Sequence, residues 1–385
     1  MSNFAAIADE IKLDILSKTH ALDNAAKRKA IARTFISDAV TAPTEEMFAY
    51  AALATVGDDE YTDPSTAALE AHVAKITGKE AGVFLTSGTL SNQIALRSHL
   101  RHPPYSVLCD NRAYVYKYDA GGAAFHSGAA MIAVAPTNGH HLTLQDVKDN
   151  IIISDDSHFA PTEVIELENT LNGIIFPQQE IVAISEYAHS LGLKLHLDGA
   201  RIWHVAAETR TPLAELLAPF DSASMCFSKG LGAPVGSVLV GSKAFIAKAR
   251  GFRTLFGGSM RQTGILAGCA AYALTHNFPK LPKVHVLAKK LEAGLEEIGC
   301  AITTRAETCM VFYDPASIGA TLDEIRDRGS ALPEPFFLGN RGPCMVVHIQ
   351  TSETAVDDFL NVVATLAAEK KAAGFVRPES QNGSS

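Results

Sequence analysis

The chain is short of several things, and each shortage excludes something. Its 385 residues hold one tryptophan and six cysteines, and no two cysteines form a Cys-x-x-Cys pair. Cys109, Cys226, Cys269, Cys300, Cys309 and Cys344 lie scattered, which speaks against a disulfide framework or a zinc site and predicts a reduced protein. Positive charge is scarce: 33 Lys and Arg stand against 42 Asp and Glu, a formal net charge of −9. Binding to phosphate-rich partners needs a basic face, so neither nucleic acid nor an acidic membrane surface is expected. No apolar run approaches the roughly 20 residues that span a bilayer. The opening MSNFAAIADEIKLDILSK carries acids inside its apolar stretch and lacks the form of a secretory signal. The expected setting is the cytoplasm.

What is present is ample core material. At 47% hydrophobic residues the chain is long enough for two domains. Residues 1–34 read as a polar helical extension, 35–280 as a large domain, 281–376 as a smaller α+β domain, and 377–385 (PESQNGSS and the residue before it) as a disordered tail. From Asp58 to about Ala273, short apolar runs alternate with helical patterns, the mark of a mainly parallel α/β sheet. GVFL, EVIEL, LKLHLDGA, SASMCF and VGSVLVG read as strands. Ser65 or Thr66 is expected to cap a helix whose Leu69, Val73 and Ile76 share one face. Ile181, Ile184, Ala188 and Leu191 form the stripe of another helix, stopped by Gly192. Beyond the proline-bearing THNFPKLPKV come a helix, VLAKKLEAGLEEIG, and the short strands TCMVFYD and CMVVHIQ.

Ligands of an open parallel sheet bind at the carboxyl ends of its strands. The chemically notable residues fall at those ends: Ser87-Gly88-Thr89, Glu168-Asn169, Asp198 with Arg201, and Lys229. Taken alone, each has a bland reading. Ser87-Gly88-Thr89 can be an ordinary helix cap or a phosphate cradle made of free N–H groups. Asp198 can be a metal ligand, a base or the partner of a ring nitrogen. Lys229, in MCFSKGLGAPVGS, can be a surface residue, or a buried amine that loses its charge and attacks an electrophile. Together they fit pyridoxal phosphate, which needs a lysine for its aldehyde, a carboxylate for its pyridinium and a phosphate cup. Rival motifs are weaker. Gly230-x-Gly232-xxx-Gly236 misses the dinucleotide spacing, with Pro234 where a helix should start. No Gly-x-Ser-x-Gly elbow occurs. His140-His141, after Thr-Asn-Gly, reads as a solvated turn rather than a metal site. Trp203 and His204 read equally as pocket lining or core.

SDAVTAPTEEM, GDDEYTDPS, KEAGVFLTSGTLSNQIALRSHL, LENTLNGIIFP, LHLDGARIWHVAAE, FSKGLGAPVGSVLVG and GGSMRQTG occur in order between about residues 35 and 350. This series resembles the threonine aldolases, particularly their fungal branch. The resemblance implies the aminotransferase-like fold type I: a large domain with a mainly parallel seven-stranded sheet, plus a small C-terminal domain. It also implies a homotetramer, a dimer of dimers with sites at the dimer interface. By resemblance Lys229 carries the cofactor's aldehyde and Asp198 pairs with its pyridinium. Ser87, Gly88 and Thr89 hold the phosphate, with Arg261 contributed by the neighbouring subunit. Arg201 and Ser37 meet the substrate carboxylate, and Arg201 also meets the cofactor's phenolic oxygen. The family reaction is retro-aldol cleavage of a β-hydroxy-α-amino acid to glycine and an aldehyde.

Three departures stand out. RAYVY puts Tyr114 where the family stacks a histidine on the cofactor ring. ENTLNG puts Asn172 where the fungal branch has a histidine. Cys344 falls where the small domain usually offers an arginine to the substrate, with Arg341 nearby as a substitute. Tyrosine still stacks, but a phenol facing Lys229 across the ring also suits racemisation, and some fungal relatives are alanine racemases. The aldolase reading stands ahead, because the whole motif set outweighs three substitutions. A cofactor-binding regulator without turnover is disfavoured by the intact Lys229, Asp198 and Arg201.

Overall fold

The computed structural model describes residues 2–13, 24–58, 62–340 and 342–376. Of the extension, helices Ser2–Ile11 and Asn24–Ile31 are described. The expected tail, 377–385, and Arg341 lie outside the described residues.

The large domain is built on seven strands: β1 (Ala81–Leu85), β2 (Ser106–Asp110), β3 (Ala130–Val134), β4 (Thr162–Glu168), β5 (Lys194–Asp198), β6 (Ser222–Cys226) and β7 (Ser237–Gly241). Their order is β1-β7-β6-β5-β4-β2-β3. The neighbours from β6 through β5, β4 and β2 to β3 are parallel, and β7 runs against both β6 and β1. The sheet is therefore mainly parallel, as expected. Strands β2, β5, β6 and β7 are buried along nearly their whole length, so they show runs of small and apolar residues rather than a clean alternation. SVLCD and AMIAV, the strands β2 and β3, complete the sheet beyond the five runs read from the sequence.

The helix Pro64–Ile76 begins two or three positions earlier than expected. Asp63, not Ser65 or Thr66, is its cap, accepting from Thr66 N–H at 2.7 Å, with Pro64 at the first position. Proline suits that place because its missing N–H would be unpaired there anyway. The helix Gln178–Ser190 forms as its stripe predicts, with Ile181, Ile184 and Ala188 buried.

The small domain carries an antiparallel sheet, β8 (Ala301–Thr304), β9 (Met310–Asp314) and β10 (Cys344–Val346), under the helices Leu281–Ile298 and Glu353–Ala372. It has its own apolar core, in which the rings of Phe35, Phe336 and Phe359 meet. Phe35 thus packs with the C-terminal half, its N–H bonded to Phe337 O at 2.8 Å. The following residues cross to the large domain and bring Asp38 to the end of its sheet.

Candidate active site

Five strands of the large sheet end around one cavity of about 160 Å³, lined by Ala39, Ser87, Gly88, Thr89, Asn92, Tyr114, Asp198, Ala200, Cys226, Ser228 and Lys229. Asp198 closes β5 and Glu168 closes β4, directly opposite each other in register. Lys229 follows β6, Ser87 follows β1 and Tyr114 follows β2. Residues distant in sequence converge because parallel strands point their carboxyl ends the same way.

Ser87 is the N-cap of the helix Gly88–His99, its Oγ accepting from Leu90 N–H at 3.1 Å. Its carbonyl accepts from the Ser237 hydroxyl at 2.8 Å, fixing the turn to β7. The cap bond and the cradle coexist, since the first N–H groups of the helix still face the cavity without intrahelical partners. Gly88 has to be small: a Cβ there would meet Cys226 Sγ at 2.7 Å.

Asp198 is buried and doubly held. Asn92 donates to its Oδ2 at 2.7 Å and Ala200 N–H to its Oδ1 at 3.0 Å. Lys229 Nζ lies 5.1 Å from the centre of the Tyr114 ring. Burial works against the Lys229 charge, but Cys226, Asp198 and Asp38 outweigh it and hold its pKa above the ordinary value. Tyr114 donates its backbone N–H to Glu168 at 2.7 Å. Burial, and then Asp198, push the Glu168 carboxyl up to about 8.

Arg201, three residues past Asp198, is gripped by Asp38, Nε to Oδ2 at 2.8 Å and a second guanidinium nitrogen to Oδ1 at 2.7 Å. Burial opposes both charges, yet each holds the other ionised: Asp38 drops to about 2 and Arg201 rises. Cys344, in the arginine position of the resemblance, is a thiol pushed by burial up to about 12, with Arg201 opposing the rise.

The remaining expected residues lie around the cavity's edge or beyond it. Ser37 is half-buried, and its Oγ accepts from Ala39 N–H at 3.1 Å, beside the cavity wall. Asn172 is exposed in a left-handed turn with φ of 53°, a conformation asparagine tolerates, and does not line the cavity. Arg261 is also outside it, exposed and 3.3 Å from Asp58. Trp203 and His204 are core residues: Trp203 donates to Cys226 O at 2.8 Å, and His204 contacts His285 at 2.8 Å. His140-His141 does lie in a turn, both N–H groups donating to Asn138 Oδ1, but His140 is only half exposed and its ring is not free. It contacts Glu307 of the small domain at 2.9 Å and His141 at 2.8 Å, while His141 packs on Phe176.

Sequence reasoning missed Asp38 and Asn92. An acid beside Ser37 was one available signal. A buried asparagine one helical turn past Gly88 was the other.

The donor set fits pyridoxal phosphate: a lysine, a carboxylate at a strand end, a helix N-terminus freed of side chains by Gly88, and an aromatic face over the amine. The model of the beta-eliminating lyase family matches residues 34–317, and the chain belongs to that family. Over 283 residues it is 49% identical to the low-specificity L-threonine aldolase of Eremothecium gossypii, covering 73% of this chain and 74% of the relative. It is also 34% identical to the alanine racemase TOXG of Cochliobolus carbonum, covering 77% of this chain and 78% of that protein. In three dimensions it superposes on the threonine aldolase of Leishmania major with a TM-score of 0.75 at 18% identity, covering 87% and 99% of the two chains. The fold is that of the fold type I pyridoxal-phosphate enzymes.

Proposed function

We propose that the protein is a pyridoxal-phosphate-dependent lyase of the threonine aldolase type, cleaving a β-hydroxy-α-amino acid such as L-threonine or L-allo-threonine to glycine and an aldehyde. The observation that carries this reading is the placement of Lys229, Asp198 and the Ser87–Thr89 cradle around one cavity at the carboxyl ends of the strands. When bound, the cofactor supplies a sink for the electron pair released as a bond at the substrate Cα breaks. The chain supplies the rest. Lys229 Nζ is the anchor for the aldehyde. Asp198, held in place by two N–H donors, would accept from the ring nitrogen. The helix N-terminus receives the phosphate. Arg201, aimed by Asp38, receives the substrate carboxylate, with Ser37 beside it. Tyr114, on the wall of the same cavity, would stack on the ring.

A second reading has its own observation. The Tyr114 ring faces Lys229 at 5.1 Å, so a phenol and an amine bracket the space where a substrate Cα would stand. That arrangement supports racemisation of a small amino acid such as alanine. We also propose a homotetramer with Arg261 serving the neighbouring copy's cofactor phosphate, since Arg261 is exposed and outside its own cavity. Arg341 is proposed as a further contact for the substrate. Six free cysteines, five of them buried, support a cytoplasmic setting. Among the described residues no helix is long and apolar enough to cross a membrane.

Chiral analysis of amino acids separates the two readings. The loaded protein is incubated apart with L-threonine, L-allo-threonine and L-alanine. Glycine from the threonines without D-alanine is the expected result. D-alanine without glycine would overturn the aldolase reading, and Tyr114→Phe, which keeps the stacking ring and removes only the hydroxyl, would then abolish turnover.

A further inference from the structure

The face of the sheet beneath the helix Gly88–His99 is polar where an apolar face would be expected. Asn92, His196 and Ser222 are buried there, with His99 partly buried beside them. Buried polar groups are costly without partners, and these four are joined in a line. Asn92 Nδ2 meets Asp198 Oδ2 at 2.7 Å, and Asn92 Oδ1 meets His196 Nε2 at 3.3 Å. His196 Nδ1 meets Ser222 Oγ at 2.8 Å, and Ser222 Oγ meets His99 Nε2 at 2.6 Å. The His99 ring is stacked on Phe245 at 4.4 Å.

The direction of every bond follows from one carboxylate. Asp198 is an acceptor, so Asn92 must turn its amide N–H to it and its carbonyl to His196. His196 must then donate from Nε2. A neutral imidazole that donates at Nε2 accepts at Nδ1, so the Ser222 hydroxyl points at His196. Its oxygen is left to accept from His99 Nε2. Burial, the largest influence on both rings, takes His196 down to about 4 and His99 to about 3, so both are neutral at physiological pH. Turning any one group around would set donor against donor or acceptor against acceptor.

We propose that His99, Ser222, His196 and Asn92 form a one-way hydrogen-bond relay that fixes the Asp198 carboxylate in place and orientation, and that Ser222 and His196 are positioning residues for it. Each link holds the orientation of the next, and all the N–H and O–H dipoles point toward the carboxylate. Aligned bonds polarise one another in a low-dielectric interior. The catalytic use of the relay rests on the proposed pairing of Asp198 with the cofactor ring. The relay itself does not.

The test is nitrogen NMR on full-length protein labelled with ¹⁵N-histidine, with and without pyridoxal phosphate, read against Ser222→Ala. In the wild type His196 is expected to carry its proton on Nε2 and a bare lone pair on Nδ1 throughout pH 6 to 8, a window set by its lowered pKa. Ser222→Ala should mix the two tautomers, weaken cofactor binding several-fold and lower kcat about tenfold with KM within about twofold, the scale of one lost hydrogen bond. Ser222→Thr keeps the hydroxyl and should restore all three. A wild-type His196 protonated at Nδ1 would overturn the relay, and that measurement needs no variant. So would a Ser222→Ala protein with wild-type tautomer and kcat. If Asp198→Asn leaves cofactor affinity unchanged while wild-type His196 keeps its tautomer, the relay stands and the role given to Asp198 falls.

Discussion

Arg201 and Asp38 show how a single residue's state is set by its surroundings. Burial opposes both charges, and the bidentate pair offsets that cost for each. Asp38 is depressed from 3.8 to about 2. Its stabilisation is therefore present above pH 3.8 and lost as the pH falls through about 2. Asp38→Asn should cost about 2 kcal/mol or more at pH 6, and its deficit against wild type should shrink between pH 4 and pH 2. Denaturant melts at those pH values measure it, and a deficit that does not change with pH would contradict the pairing. Lys229 and Asp198 were legible in the sequence because each stands where an apolar run stops. Asp38 and Asn92 were not, since their partners lie 163 and 106 residues away. The local signals, an acid beside Ser37 and an asparagine one helical turn past Gly88, do not show what those groups pair with.

At the scale of elements, the strand ends do the positioning. Strands β4 and β5 carry Glu168 and Asp198 side by side, and two neighbouring buried carboxylates do not ionise together readily. The Glu168 pKa lies near 8 against an ordinary 4.5. Below pH 4.5 the acid is neutral in both folded and unfolded chains, so Glu168→Gln should there be close to neutral. Above it, the unfolded chain ionises and the folded one resists, so wild type loses stability that the variant keeps. The glutamine can still accept from Tyr114 N–H. In cofactor-free protein Glu168→Gln should be more stable than wild type by at least about 2 kcal/mol at pH 8. Equal stability at pH 5 and pH 8 would contradict the shared burial. Five strands were readable as short apolar or alternating runs closed by a polar or charged residue or by glycine. SVLCD, five residues long and buried throughout like β6 and β7, was not read as a strand. AMIAV escaped as a short edge strand of mixed exposure. The Pro64–Ile76 cap was misplaced by two or three positions because Thr66 serves Asp63 as a donor rather than capping the helix itself.

At the scale of the whole molecule, the site cavity is lined by the large domain, which is tied to the small one nearby, and, in our reading, a second copy completes it. His140 and the Ile175 N–H both bond Glu307, at 2.9 and 2.7 Å, tying the large domain to the small one beside Glu168. Gln350 exchanges bonds with Ala42 N and O at 3.0 and 2.7 Å, steadying the segment that delivers Asp38. None of these contacts is local, which is why His140 looked like turn chemistry in the sequence. If Arg261 serves a neighbouring copy, Lys229→Ala and Arg261→Ala chains refolded together should recover activity that neither has alone. A statistical mixture of dimers restores roughly a quarter of the wild-type sites; no recovery would place Arg261 outside the site. The most direct test of the account concerns Lys229. Borohydride reduction of the cofactor-loaded protein, followed by digestion and mass spectrometry, should place the pyridoxyl group on the peptide containing Lys229, and Lys229→Ala should lose both the adduct and the visible absorption band. A pyridoxyl group on another lysine, or a band that persists in Lys229→Ala, would contradict it.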